Sequence, residues 1–267
     1  MTAGRLGAPA SRRLAVEPHI SSRLPARRGR SQDLFRFRLR IDGFRPTKHA
    51  FRLMLDSELV PAPQSRADGL GPLMVMLHGL GDSIDGWRWF PEVMNLPWLN
   101  YLLVNAPDEY FGGFSWFDIN GDMVPGVERS RELLFGLLDD LRTKGWPVEQ
   151  ITLGGFSQGC LMCVDVGLRY PHQLAGICGI SGWICQPEKL LRQLSPVARQ
   201  QRLLMTHGTL DPLIPIEKVR PQIPLLKAAG LQIEWHEFIK EHTVAGEAEI
   251  SVLRNFVRAG YPGAVGN

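Results

Sequence analysis

The sequence predicts an α/β fold: a three-layer sandwich in which helices cover both faces of a mostly parallel central sheet. Short apolar runs recur along the chain, and helix-like segments separate them. The pentapeptide Gly155-Phe156-Ser157-Gln158-Gly159 joins one such run, Ile151-Thr152-Leu153, to a helix-like stretch. Strands that alternate with helices pair most readily in parallel, because each crossover helix returns the chain to the same end of the sheet.

The start of the chain stands apart from this pattern. Residues 1–30 hold seven Arg and one acidic residue, Glu17, and so carry +6 of a formal net charge of +3, leaving −3 on the other 237 residues. This positive excess sits in a Pro-, Gly-, Ser- and Arg-rich segment poor in apolar side chains, whereas a nucleic-acid footprint would have to lie on the folded part. Residues 1–32 are expected to be a basic, disordered extension, and 33–267 the folded domain. An Arg-rich, acid-poor start also fits an organelle transit peptide or extra residues ahead of the natural start, and composition does not choose between them. There is no continuous apolar signal core and no run near the roughly 18 apolar residues that span a bilayer. The expectation is a cytoplasmic protein without a transmembrane segment.

Leu34–Ile41 largely alternates apolar with basic side chains, the period of a half-exposed strand, and Phe51–Leu55 reads as its partner at a sheet edge. After the loop from Pro61 to Gly71 the runs become nearly continuous: Leu73–Leu77, Tyr101–Val104, Ile151–Leu153, Leu174–Ile180, Leu203–Met205 and Ile233–Phe238. Parallel strands buried on both faces look like this. Helices are expected at Val127–Lys144, Gln158–Arg169, Ile216–Ala229 and Ala245–Ala259. Lys144-Gly145-Trp146-Pro147 and Ala229-Gly230 supply stops, since glycine accepts the left-handed cap and proline cannot continue a helix.

Cys160, Cys163, Cys178 and Cys185 are too few and too clustered for a disulfide framework. Cys160 and Cys163 fall on one face of the expected helix and read as buried side chains rather than a redox or metal pair. No second Cys/His pair has zinc-like spacing.

The chemistry centres on Ser157. A serine hydroxyl is a weak nucleophile at its free pKa and must be held on a tight strand-to-helix turn within reach of a base. Gly155 and Gly159 suit such a turn, because a Cβ at either place would obstruct it. In a doubly wound sheet ligands bind beyond the carboxyl ends of the strands, so the partners of Ser157 should follow strands. Asp211, in His207-Gly208-Thr209-Leu210-Asp211-Pro212, follows the strand at Leu203–Met205, and His242 follows the strand ending at Phe238. Imidazole titrates near neutral pH, so His242 is expected to take the Ser157 proton and return it to the leaving group, with Asp211 fixing the tautomer. His236 lies inside an alternating strand, while His78 and His207 each precede a glycine at a strand end, where a structural hydrogen bond suits them better. The oxyanion formed by attack needs preorganised donors. These are expected from the backbone N–H groups of Gln158 and of Leu80 in His78-Gly79-Leu80-Gly81.

Several motifs together resemble the carboxylesterase and acyl-protein thioesterase group of α/β-hydrolases, the phospholipase/carboxylesterase family. They are Leu77-His78-Gly79-Leu80-Gly81-Asp82 with Gly86-Trp87, Ser115-Trp116-Phe117-Asp118, Gly154-Gly155-Phe156-Ser157-Gln158-Gly159, Ser181-Gly182-Trp183, His207-Gly208-Thr209 with Asp211-Pro212, and His242. The resemblance spans roughly residues 70–260. It implies a triad of Ser157, Asp211 and His242, an oxyanion hole from the Leu80 and Gln158 N–H groups, and no metal or organic cofactor. Members usually carry glycine immediately before the catalytic histidine, and Glu241 stands there in this chain. The first eighty or so residues match the family poorly.

Only about twenty residues separate the expected strands at Leu174–Ile180 and Leu203–Met205, which leaves no room for a large cap domain. The site is therefore expected to be an open cleft roofed by loops such as Asp108–Pro125. Phe111, Phe114, Trp116 and Phe117 of that loop offer apolar area, with Trp87, Trp183 and Leu213 completing an acyl groove. The expected activity is hydrolysis of a small-molecule or lipid-acyl ester or thioester through a Ser157 acyl-enzyme, as in a carboxylesterase, acyl-protein thioesterase or lysophospholipase. A homodimer is left open. The alternative is a non-catalytic α/β-hydrolase-fold binding or scaffold protein, the outcome if the Glu241-His242 loop is displaced.

Overall fold

A computed structural model describes residues 55–64 and 70–263. The expected extension at 1–32, the Leu34–Ile41 strand and all of its Phe51–Leu55 partner except Leu55 lie outside the described residues.

The described chain opens with β1 (Ser57–Val60) and β2 (Leu73–Leu77), followed by α1 (Phe90–Met94) and β3 (Asn100–Val104). A short hairpin of β4 (Asp108–Tyr110) and β5 (Gly113–Ser115) precedes α2 (Met123–Thr143), β6 (Ile151–Phe156) and α3 (Gln158–Arg169). Then come β7 (Gly176–Ile180), α4 (Pro187–Arg192), β8 (Arg202–Gly208), α5 (Ile216–Val219), α6 (Gln222–Ala228), β9 (Gln232–Phe238) and α7 (Gly246–Ala259).

Among the described residues one seven-stranded sheet runs in the order β1-β3-β2-β6-β7-β8-β9. β1 is antiparallel to β3, and the other neighbours pair in parallel. All five residues of β2 are buried, and its alternate side chains enter different cores. Leu73, Val75 and Leu77 join residues of α2, α3, α4 and α6 on one face, while Met74 and Met76 join residues of α1 and α7 on the other. This is the three-layer arrangement expected of a sheet whose strands are apolar on both sides. Cys160, Cys163, Cys178 and Cys185 are free and buried in these cores, and desolvation pushes the thiols of Cys163, Cys178 and Cys185 up.

Four details differ from the sequence expectation. The helix expected over Ile216–Ala229 is two helices, broken before Pro221, whose ring nitrogen has no hydrogen to donate to the preceding turn. β9 is half-exposed rather than buried, because it is the last strand of the sheet. β1 arises from Ser57–Val60, where the sequence pattern predicts no strand, and pairs with β3 through register Ser57 with Val104. The loop Asp108–Pro125 contains the β4–β5 hairpin and the first turn of α2, where the Asp122 side chain accepts from Val124 N–H at 3.1 Å.

The two glycine stops do act as caps. Gly145 and Gly230 take φ of 92° and 82°, the left-handed region that glycine enters without steric cost. Between β7 and β8 there is only α4 and a short 3-10 turn. Ser195 N–H donates to Leu168 O at 3.0 Å, so this connection runs down beside α3 and forms no cap domain.

Candidate active site

β2 has β3 on one side and β6 on the other, so the strand order reverses between β2 and β6. Loops leaving the carboxyl ends of two such strands enclose a crevice. Register sets Leu77 beside Gly155, which places His78-Gly79-Leu80 and Phe156-Ser157 side by side.

Ser157 adopts φ 54° and ψ −116°, in the left-handed half of the map that a residue with a Cβ rarely enters. Three glycines surround this turn and cannot carry a side chain. A Cβ on Gly155 would lie 2.1 Å from Gly159 O, one on Gly159 2.2 Å from Leu77 O, and one on Gly182 2.4 Å from Cys160 Cβ. Ser157 N–H donates to Ile180 O at 2.9 Å, tying the turn to the end of β7. The sharp turn presents the hydroxyl at the start of α3 instead of burying it in the strand.

The hydroxyl meets two of the predicted partners. His242 Nε2 lies 2.9 Å from Ser157 Oγ, and His242 Nδ1 lies 2.7 Å from Asp211 Oδ2. Asp211 Oδ1 accepts the backbone N–H groups of Leu213 and Ile214, both at 2.9 Å, so the carboxylate is oriented from its far side. The Phe156 ring packs against the His242 imidazole, centroids 4.9 Å apart. Glu241 is exposed and has no positive φ, so nothing in the backbone at this position calls for glycine. The loop delivers the imidazole to Ser157 with the larger residue in place.

The competing imidazoles of His78, His207 and His236 are otherwise engaged. His78 Nε2 accepts Ala106 N–H at 3.0 Å, which requires an unprotonated Nε2 and leaves Nδ1–H to donate to Gly79 O at 2.6 Å. Burial holds its pKa below the usual value, as it does for His207, whose Nε2–H donates to Ile214 O at 2.8 Å. His236 pairs with Glu234 at 2.7 Å on the exposed strand β9.

The Leu80 loop is pinned from several sides. Gly81 N–H donates to Phe114 O and Phe114 N–H to Asp82 O, both at 2.9 Å, so the β4–β5 hairpin extends along the loop. The Trp116 indole N–H donates to His78 O at 2.9 Å. Asp82 accepts Ser83 N–H at 2.7 Å and the Trp87 indole N–H at 3.1 Å, with Gly86 so close that a Cβ would fall 2.0 Å from Asp82 Oδ1. Leu80 N–H donates to none of the backbone acceptors that hold this loop, and Gln158 N–H, at the first position of α3, has no intrahelical carbonyl to reach. The Gln158 side chain accepts from Trp116 N–H at 3.0 Å and donates to Phe117 O at 2.9 Å, locking the chain after β5 onto the start of α3.

The expected acyl groove needs correction. Trp116 is fully buried and Trp87 nearly so, and both spend their indole N–H on the Leu80 loop instead of lining an opening. Phe117 is also buried, in the same core as Trp116, and the half-buried Trp183 packs edge-on against it at 6.1 Å. Leu213 is 72% exposed, next to Asp211, and Phe111 is exposed at the hairpin tip. Sequence reading missed Lys240 and Glu249, a buried ion pair beside His242. Neither belongs to a motif, and the pairing is made only when β9 and α7 fold together. Among the described residues no three His, Cys, Asp or Glu side chains are grouped to hold a metal ion, and no helix is long and apolar enough to cross a membrane.

A mostly parallel sheet with a strained serine between β6 and α3, and with Asp and His on the loops after β8 and β9, defines an α/β-hydrolase. Comparison with known proteins narrows the class. A family model described as Phospholipase/Carboxylesterase matches residues 59–259, and the chain belongs to that family of hydrolases. It is 34% identical over 155 residues to acyl-protein thioesterase 1 of Schizosaccharomyces pombe, covering 53% of this chain and 69% of that protein. With acyl-protein thioesterase 1 of Debaryomyces hansenii it shares 27% identity over 225 residues, 75% of this chain and 97% of the relative. The crystal structure of esterase PE8 superposes with a TM-score of 0.66 at 29% identity, covering 77% of this chain and 99% of that one.

Proposed function

We propose that this chain is a serine esterase or thioesterase that hydrolyses carboxylic esters or thioesters through a Ser157 acyl-enzyme. The observation that carries the reading is the continuous hydrogen-bonded line from Asp211 Oδ2 through His242 to Ser157 Oγ, 2.7 Å and 2.9 Å long in its two steps. In this reading His242 Nε2 takes the hydroxyl proton as Ser157 Oγ attacks the acyl carbon. Asp211 keeps the other ring proton on Nδ1 and steadies the imidazolium. Leu80 and Gln158 N–H donate to the oxyanion, each worth about 3 kcal/mol in comparable sites. His242 then protonates the departing alcohol or thiol, and water, activated by the same imidazole, releases the acid. Relatives named as thioesterases and an esterase support this substrate class.

The reading is tested by a fluorophosphonate probe together with turnover of p-nitrophenyl butyrate. Wild type should be labelled once per chain and should turn over, whereas Ser157→Ala should do neither. Labelling of Ser157→Ala at wild-type stoichiometry would remove the nucleophile from the proposal. Failure of wild type to turn over esters or thioesters of any acyl length would favour the binding-module alternative.

A further inference from the structure

One buried carboxylate closes the loop that carries His242. Glu249, in the first turn of α7, is fully buried, and both of its oxygens reach Lys240 Nζ, at 2.6 Å and 2.8 Å. Glu249 Oε2 also accepts Ala245 N–H at 2.6 Å. Lys240 precedes His242 and Ala245 follows it, so the same side chain ties down both ends of the segment between them. The backbone of Lys240 reaches the opposite way. Its carbonyl accepts Leu210 N–H at 3.1 Å, next to Asp211, and a Cβ on Gly208 would fall 2.4 Å from that oxygen. Lys240 therefore joins the Asp211 loop to α7, with the imidazole held between.

An ion pair removed from water gains little over an apolar pair of similar volume, because desolvating both charges offsets their attraction. What this pair does supply is direction, since a carboxylate that accepts from two fixed donors leaves the enclosed backbone few alternative paths. We propose that Glu249 and Lys240 are positioning residues for His242, a clasp that sets the distance from imidazole to Ser157. This rests on the reading of His242 as the general base.

The test uses the full chain and three variants: Glu249→Gln, Lys240→Met/Glu249→Gln and Lys240→Met/Glu249→Met. Turnover of p-nitrophenyl butyrate and thermal melting are read for each. Glu249→Gln leaves the ammonium unpaired and should lower both Tm and kcat. The pair Lys240→Met/Glu249→Gln removes the uncompensated ammonium but keeps only the Ala245 end of the clasp, so Tm should recover while kcat recovers only in part. Lys240→Met/Glu249→Met removes the buried charge and the clasp together, so Tm should recover while kcat stays about 100-fold down at unchanged KM, the order of loss for a catalytic group misplaced by about 1 Å. Recovery of kcat along with Tm in this last variant would overturn the clasp, as would kcat tracking only the folded fraction throughout. If Glu249→Gln does not fold, the two double variants still decide. Ser157→Ala is run alongside. If it keeps turning over, the base reading fails and the clasp with it; if it is inert while Lys240→Met/Glu249→Met matches wild type, the clasp alone fails.

Discussion

Asp211→Asn should disable this site through the tautomer of a neighbour, leaving the geometry otherwise intact. Asp211 Oδ1 accepts two backbone N–H groups, from Leu213 and Ile214 at 2.9 Å, and Oδ2 accepts one, from His242 Nδ1 at 2.7 Å. An asparagine offers one oxygen and one NH2 in their place. Turning the NH2 toward Leu213 and Ile214 would oppose donor to donor twice in a buried place, where each unsatisfied group costs about 1–3 kcal/mol. The oxygen therefore stays with the two amides, and the NH2 faces His242 Nδ1. That nitrogen must then accept, which sends the ring proton to Nε2, opposite Ser157 Oγ. An Nε2–H cannot take the hydroxyl proton. In triads of this geometry the wrong tautomer lowers kcat about 10⁴-fold, or about 5.5 kcal/mol of barrier. Initial rates with p-nitrophenyl butyrate give kcat and KM, and a melt checks that the variant is folded. A folded Asp211→Asn whose kcat stays within about tenfold of wild type, less than 1.4 kcal/mol of barrier, would refute the argument.

Two further predictions concern stability. Gly159→Ala would set a methyl 2.2 Å from Leu77 O and 2.7 Å from His78 O, both main-chain atoms that cannot swing aside. A loss of about 3 kcal/mol is expected, the upper range for overpacking, read from urea unfolding together with slower fluorophosphonate labelling; an unchanged midpoint would contradict the close approach of α3 to β2. The second concerns pH. His78 and His207 are both held below the usual imidazole value by burial, so the unfolded chain binds protons there that the folded chain refuses. Their contribution is fully present above about pH 6.5 and is lost as pH falls from there toward the folded values. Unfolding free energy measured in urea should fall between pH 8 and pH 5, with a shallower slope in His78→Asn; an identical slope in that variant would show that His78 is not the group responsible.

Much of the framework was legible because it obeys local rules. Leu73–Leu77 is buried on both faces and so reads as an unbroken apolar run, and Gly145 and Gly230 mark helix ends through the backbone angle that they alone enter cheaply. Ser157, Asp211 and His242 could be singled out because each follows a strand whose end had to reach the same rim. What escaped depends on distant partners. Trp116 looks like a groove-lining aromatic until the fold brings its indole to His78 O, 38 positions away in the sequence. β9, grouped with the continuous apolar runs, alternates Ile233 and Trp235 with Glu234 and His236, and with no neighbour beyond it in the sheet among the described residues it stays half-exposed. In α5 and α6 the apolar periodicity continued through Pro221, and the missing hydrogen-bond donor overrode it.

The four thiols make the protein a convenient reporter of its own integrity. Since Cys160, Cys163 and Cys178 are wholly enclosed and unpaired, a maleimide reaches them only when the interior opens, while Cys185 lies nearer the surface. Cys160 lies in the first turn of the serine's helix, so the speed at which it acquires an adduct would time the breathing of that scaffold. An electrophile that silences the protein while all four thiols stay unmodified must have acted on some other nucleophile.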